Sequence, residues 1–305
     1  MKLAPAHDTV TLPLPAGMRL RSAADRRIVD SALEIDAVPA VGLRRPVRLR
    51  KVPSGHWVAH LLPGLSAAVA ADPESWGAAA SPYRIAVSDP AGQFLPLRLN
   101  AALPARGALH WSGWAGWNGT RRNRAKPILP PGANAATVPD YLPLFPAAGW
   151  TTEPGLADVR AQLAIRETGG ELRNAGWAAV TIGLGSSVLG LGIADGDGRV
   201  VVAFPYPAMP EQTPVEAAQG RPEIAWDVRV RVYCRELAAD LGPGEIPELQ
   251  TILAQLDGPP SHAMATIMGA QPQLSDQELV LGRTLVLRTA LSGGKVSSSL
   301  FLKSS

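Results

Sequence analysis

Proline and glycine constrain this chain more than any other feature. There are 29 Pro and 30 Gly among 305 residues, against an average of roughly 12% for the two together. Inside a helix, Pro removes a donor and clashes with the preceding turn. Gly there costs about 1 kcal/mol relative to Ala. A helical bundle, a coiled coil or a mostly helical solenoid is therefore a poor solution for this sequence. Wholesale disorder is equally poor, because 46% of residues are hydrophobic and the mean hydropathy is +0.06. Short strands separated by turns remain, and the length favours two domains of about 100–200 residues each.

Period-two patterns bear this out along the sequence. Val10, Leu12 and Leu14 alternate, as do Val47 and Leu49 against Arg48 and Arg50. Further strands are expected within 28–38, 55–62, 83–89 and 93–99. The last two flank Asp89-Pro90-Ala91-Gly92, which carries the residues a type I turn prefers. A short helix capped by Asp72 and opened by Pro73 is expected between strands.

A second β region begins near 156, with strands expected at 159–165, 180–184, 188–194 and 200–204. The last two are joined by Asp195-Gly196-Asp197-Gly198. The clearest strand is 224–233, where Ile224, Trp226, Val228, Val230 and Val232 face one way and Asp227, Arg229, Arg231 and Tyr233 the other. Residues 247–256 give the best helix, with Pro247 at its first position and Leu249, Ile252, Leu253 and Leu256 on one face. Strands at 279–289 and 296–303 are expected to close the chain as a hairpin turned at Ser292-Gly293-Gly294. The segments 85–97 and 192–203 echo one another, each with Asp-x-x-Gly leading into a strand.

Residues 105–152 differ from both flanks. They hold Trp111, Trp114, Trp117 and Trp150, six of the prolines, and a basic run of Arg121, Arg122, Arg124 and Lys126, without sustained periodicity. Loops of this length are uncommon in compact domains and tend to be functional or disordered. Four Trp argue for an ordered connector. Packing over its own domain is the simplest role for the aromatic set. Beyond that, aromatic and Arg side chains are the usual anchors of protein interfaces, so Trp111, Trp114, Trp117, Arg121, Arg122, Arg124 and Trp150 are the candidate interface residues. Stacking on sugar rings is the competing use of the same aromatics.

Charge adds little. The formal net charge is +3, and 24 of the 29 cations are Arg; a coding bias toward GC-rich codons accounts for this without nucleic acid as a partner. The lone Cys234 cannot form an intramolecular disulfide or a Cys-rich metal site, which is compatible with a reducing cytoplasm, and it reads as a buried inert thiol. The start MKLAPAHDTVTLPLPAG lacks a continuous apolar h-region. The longest apolar stretch, 57–71, is interrupted by His60, Pro63 and Gly64, so no membrane span is expected. Synthesis and assembly are expected in the cytoplasm, and any export would need another route.

No catalytic signature emerges. His56 and His60 would stand about 13 Å apart on an extended segment, too far for one metal. His7, His110 and His262 have no acidic partner at a recognisable spacing. Asp195-Gly-Asp197-Gly opens like a calcium loop, but its twelfth position is Tyr206 rather than Glu. Gly183-Leu-Gly185-Ser186-Ser187 is not a GxSxG elbow, and no Walker A or helix-opening GxGxxG occurs. No cofactor and no metal are expected, and the chain reads as a non-enzyme.

Two segments resemble carboxypeptidase-regulatory-like (transthyretin-like) β-sandwich domains. The stronger is LGLGIADGDGRVVVAFPYP followed by WDVRVRVY; the weaker is PVRLRKVPSGHWVAHLLPG followed by YRIAVSDPAGQFLPLRL. With FPYP and LPLFPAAGW, the chain also resembles proteins encoded with bacterial phage-tail-like contractile injection systems. The resemblance implies an all-β protein of two Ig-like or transthyretin-like sandwiches, at 1–104 and 153–305. They would be joined by the Trp/Pro-rich connector 105–152, with a short C-terminal helix and hairpin. It implies a structural or assembly subunit at a cap, sheath-end or baseplate position, with other particle subunits as partners. A carbohydrate-binding or adhesion module using the Trp-rich loop is the alternative.

Overall fold

The computed structural model describes residues 16–42, 45–63, 65, 81–104, 109, 141–209, 224–235, 245–267, 273–274 and 276–303. These build an all-β fold. The N-terminal part contributes β1 (Ala16–Ser22), β2 (Glu34–Pro39), β3 (Val47–Arg48), β4 (Arg50–Lys51), β5 (His56–Ala59), β6 (Ser81–Ser88), β7 (Leu97–Leu103) and β8 (Leu142–Leu144). They form two four-stranded sheets, ordered β4-β5-β1-β8 and β3-β2-β6-β7. The chain crosses between sheets at Leu49, which is 1% exposed and lies between β3 and β4. The expected Val47/Leu49 strand is thus two short strands pivoting on one buried leucine. Met18 and Leu20 of β1, Ile35 of β2, Ile85 and Val87 of β6, and Leu142 and Leu144 of β8 line one core.

Strand β1 is not among the expected strands. Its buried face, Ala16, Met18, Leu20 and Ser22, holds only two large apolar residues between a small and a polar one, and it follows Pro13 and Pro15 in sequence. The expected strand at Val10–Leu14 and the helix at Asp72 lie outside the described residues. The hairpin β6–β7 forms with Val87 opposite Leu97, and Gly92 N–H donates to Asp89 O at 2.9 Å as the turn chemistry requires.

The C-terminal part contributes β9 (Leu156–Arg166), β10 (Leu172–Asn174), β11 (Ala179–Leu184), β12 (Ser187–Ile193), β13 (Arg199–Pro205), β14 (Ala225–Tyr233), the helix α1 (Leu249–Ala254), β15 (Asp276–Val280), β16 (Leu285–Leu287) and β17 (Leu300–Lys303). One sheet runs β12-β11-β14-β15. The other is organised around β9, which pairs antiparallel with β13 and β10 and parallel with β16 and β17. Val159, Val202, Val228, Val230 and Leu300 meet in the core between them.

The expected C-terminal hairpin takes a different form. The turn at 292–294 exists, and Ala290 pairs antiparallel with Val296 beside it. The longer strands do not pair with each other. Residues 281–284 separate β15 from β16, which belong to different sheets, and β16 and β17 lie in succession along β9 with the small turn protruding between them. Parallel partners distant in sequence leave no local pattern, whereas the Ser-Gly-Gly turn does.

β12 and β13 are likewise not a paired hairpin. The linking turn closes as expected: the Asp195 side chain accepts from Asp197 N at 2.9 Å and Arg199 N at 2.8 Å. The Asp89 carboxylate accepts from Ala91 N and Gln93 N in the same way, so the sequence echo is a shared turn geometry. Beyond the turn the strands enter opposite sheets and pack face to face. Glycine permits this. A Cβ at Gly190 would stand 2.7 Å from Phe204 Cδ1, and one at Gly192 would stand 2.8 Å from both Val201 O and Val202 Cγ2. Gly192→Ala is expected to lose about 1–3 kcal/mol in urea denaturation through overpacking. Gly169→Ala, whose Cβ meets nothing within 4 Å, should stay within about 1 kcal/mol of the parent.

The two parts share a core. The predicted apolar face of the helix, Leu249, Ile252, Leu253 and Leu256, is buried in the cluster of the N-terminal sheets, not in the core beside which the sequence places it. The helix starts at Leu249, two residues after Pro247, and a 3-10 turn at Gln255–Asp257 extends it. Ala179, Leu191, Ile193 and Tyr233 of the C-terminal sheet enter the same cluster. Tyr233 shares a strand face with Arg229 and Arg231, so one outer face is buried at one end and open at the other.

Candidate functional site

Six of the seven sequence-derived interface residues, Trp111, Trp114, Trp117, Arg121, Arg122 and Arg124, lie outside the described residues. The attachment of their segment does not. Leu109 N–H donates to Gly17 O at 2.5 Å, and Leu109 bridges Met18 in parallel. Residues 142–144 of β8 then pair in parallel with 20–22 of the same strand β1. Leu109 and Leu142 therefore meet neighbouring positions of β1, Met18 and Leu20, about 7 Å apart by strand rise.

Trp150 is held inside the molecule. It is 6% exposed and packs with Ala24, Val201 and Ala203, with Leu156 alongside. Its carbonyl accepts from Arg160 Nη2 at 2.8 Å, and the Ala148 carbonyl from Arg160 Nη1 at 3.2 Å. Arg160 is oriented in turn by Asp158, Nε to Oδ2 at 2.7 Å, whose other oxygen accepts from Thr284 Oγ1 at 2.9 Å. Trp150 thus packs over its own chain, the simplest of the roles open to the aromatic set, with little surface left for a partner or a sugar.

A cleft that sequence reasoning did not single out lies on the outer face of the β12-β11-β14-β15 sheet. It encloses about 410 Å³ and is lined by Thr181, Gly183, Gly185, Ser186, Ser187, Val188, Arg229 and Arg231. Local sequence shapes it. Thr181 and Gly183 of β11 stand opposite Arg231 and Arg229 of β14. The register of β11 against β12 slips between Ile182 and Gly183, so that Ile182 faces Gly190 while Gly183 faces Val188. Such bulges re-aim neighbouring side chains. Gly183 leaves the floor open, since a Cβ there would stand 3.0 Å from Ser187 O. Gly185, at φ +57°, turns the chain at the cleft's outer end.

The electrostatics are one-sided. Arg229 Nε lies 3.5 Å from Asp276 Oδ1, with both side chains about half exposed. Arg231 forms no hydrogen bond or ion pair among the described residues. Thr181 is 5% exposed, and its hydroxyl likewise has no partner there. The signal available in sequence was the outward pair Arg229/Arg231 beside a Gly-Leu-Gly-Ser-Ser turn.

The other sequence candidates stay apart. His56 Nδ1 lies 2.9 Å from Ser54 Oγ, and Cys234 N–H donates to Ser261 Oγ at 3.1 Å. Among the described residues no three His, Cys, Asp or Glu side chains are grouped to hold a metal ion, and no helix is long and apolar enough to cross a membrane. Comparison with protein-family models, with curated proteins and with solved structures found no match to this chain.

Proposed function

We propose that the chain is a non-enzymatic structural and assembly subunit of a multiprotein particle, of the bacterial phage-tail-like contractile injection class its sequence resembles, at a cap, sheath-end or baseplate position. One observation carries this reading: the Trp/Arg-rich segment is tethered at both ends to adjacent positions of β1, a strand whose apolar side is part of the shared core. Leu109 and Leu142, at the two ends of that stretch of sequence, are thus held at one place on a braced β body, the kind of base from which a subunit contact can be presented. Trp114 and Trp117 supply the apolar anchors in this reading, and Arg121, Arg122 and Arg124 the charge-assisted bonds around them.

The test is co-expression of the chain with the sheath, tube and baseplate proteins of such a particle. The parent should co-sediment with assembled particles. The W114A/W117A double variant should be lost from them while keeping the parent's thermal midpoint. Undiminished incorporation of the variant overturns the role given to the segment. A parent that never co-sediments, but gives a glycan-array signal abolished by W114A, replaces the reading with a carbohydrate-binding module.

A further inference from the structure

We propose that the Arg229/Arg231 cleft binds a tetrahedral oxyanion carried on a small organic ligand, a phosphate or sulfate ester. This site is separate from the assembly role. Among the described residues, its polar lining side chains are two guanidiniums and the hydroxyls of Thr181, Ser186 and Ser187, with no carboxylate. Such a set combines two donor-only cations with hydroxyls that can also donate, and it holds no anionic acceptor, so the complementary ligand is rich in acceptors and negatively charged. Arg229 and Arg231 lie two residues apart on one strand face, about 7 Å between Cα atoms, so both forks can converge on one group. Arg229 is shared with Asp276 through an exposed contact of the kind that contributes little. Arg231 has no such partner among the described residues.

Thr181 is the second observation. Thr181 is 95% buried as a residue and lines the cleft, and its hydroxyl, without a hydrogen-bond partner among the described residues, is open to whatever occupies the cleft. It stands directly opposite Arg231 in the sheet register, so one oxyanion can meet both. The volume of about 410 Å³ exceeds a bare phosphate and falls within the roughly 300–1,000 Å³ of small-ligand pockets. The bulge and Gly183 make that room, leaving space for the organic part beside the anionic group.

Isothermal titration calorimetry on the full chain tests this with three probes: inorganic phosphate, glucose 6-phosphate and glucose 6-sulfate. Saturable binding of at least one ester is expected, with Kd below about 1 mM. It should weaken at least about tenfold in Arg231→Gln and severalfold in Thr181→Val. Arg199→Gln, on the opposite sheet, should bind like the parent. Thermal midpoints of the three variants, matched to the parent, separate lost binding from lost folding; should T181V fail to fold, R231Q against R199Q decides alone. Preference for the phosphate or the sulfate ester identifies the source of the oxyanion, and either supports the site. Absence of saturable binding to every probe overturns it, as does equal weakening in R199Q and R231Q.

Discussion

Leu253→Ala is expected to lower the unfolding free energy by about 2–5 kcal/mol and to loosen the N-terminal sheets, although residue 253 follows the entire C-terminal sandwich-like core up to β14 in sequence. Leu253 is 3% exposed and shares its cluster with Ile85, Leu97 and Leu144, so the lost methyl groups leave a cavity in the N-terminal core. The helix is fixed to both sides. Arg98 of β7 bridges Glu248 in parallel, and Asn100 N–H donates to Glu248 Oε1 at 3.3 Å, which covers part of the free edge of β7. At the other end the buried Gln255 amide donates from Nε2 to Trp177 O at 2.9 Å and accepts at Oε1 from Arg235 N–H at 2.8 Å, tying the helix to the C-terminal sheets. Hydrogen exchange resolved by segment is the decisive measurement. Protection should fall in β6 and β7 as well as in the helix. Loss confined to residues 249–257 would show that the helix only rests on the N-terminal core.

The same helix shows how far local pattern reaches. Its apolar face was legible residue by residue from spacing, and Leu249, Ile252, Leu253 and Leu256 are all buried. Which core receives that face was not, because an i, i+3, i+4, i+7 stripe states that a face is buried and not against what. Strand β14 gives the parallel case. Trp226, Val228, Val230 and Val232 alternate inward as the sequence requires. Tyr233, on the outward set, is buried by the N-terminal part of the chain, a contact no period-two pattern encodes. Turn chemistry survived best: Asp89 and Asp195 both cap their turns with side-chain acceptors. Pairing survived least, since the strands flanking Asp195 separate into opposite sheets on account of Gly190 and Gly192. The cleft was invisible for a related reason. Its floor, walls and rim come from residues about 45 positions apart, joined only by the register of β11 against β14.

Asp158→Ala should be nearly as severe, at about 2–4 kcal/mol, somewhat below the roughly 3–5 kcal/mol for breaking a fully buried ion pair because Arg160 is 32% exposed. Asp158 is 3% exposed and accepts from both Arg160 and Thr284. Removing it strands the guanidinium that holds the Ala148 and Trp150 carbonyls. Trp150 should then lose its seat against Val201 and Ala203, seen as faster hydrogen exchange across residues 148–152. The pair itself is not the source of stability, because two desolvated charges of good geometry roughly offset their own burial. The double variant Asp158→Leu/Arg160→Met should therefore be more stable than Asp158→Ala alone, although Trp150 stays unseated because Met donates nothing to its carbonyl. A double variant whose loss equals the sum of the losses of its two singles would mean that the two side chains act separately. Recovery of stability without recovery of Trp150 protection would identify Arg160 as the residue that seats the end of the Trp-rich segment on β9.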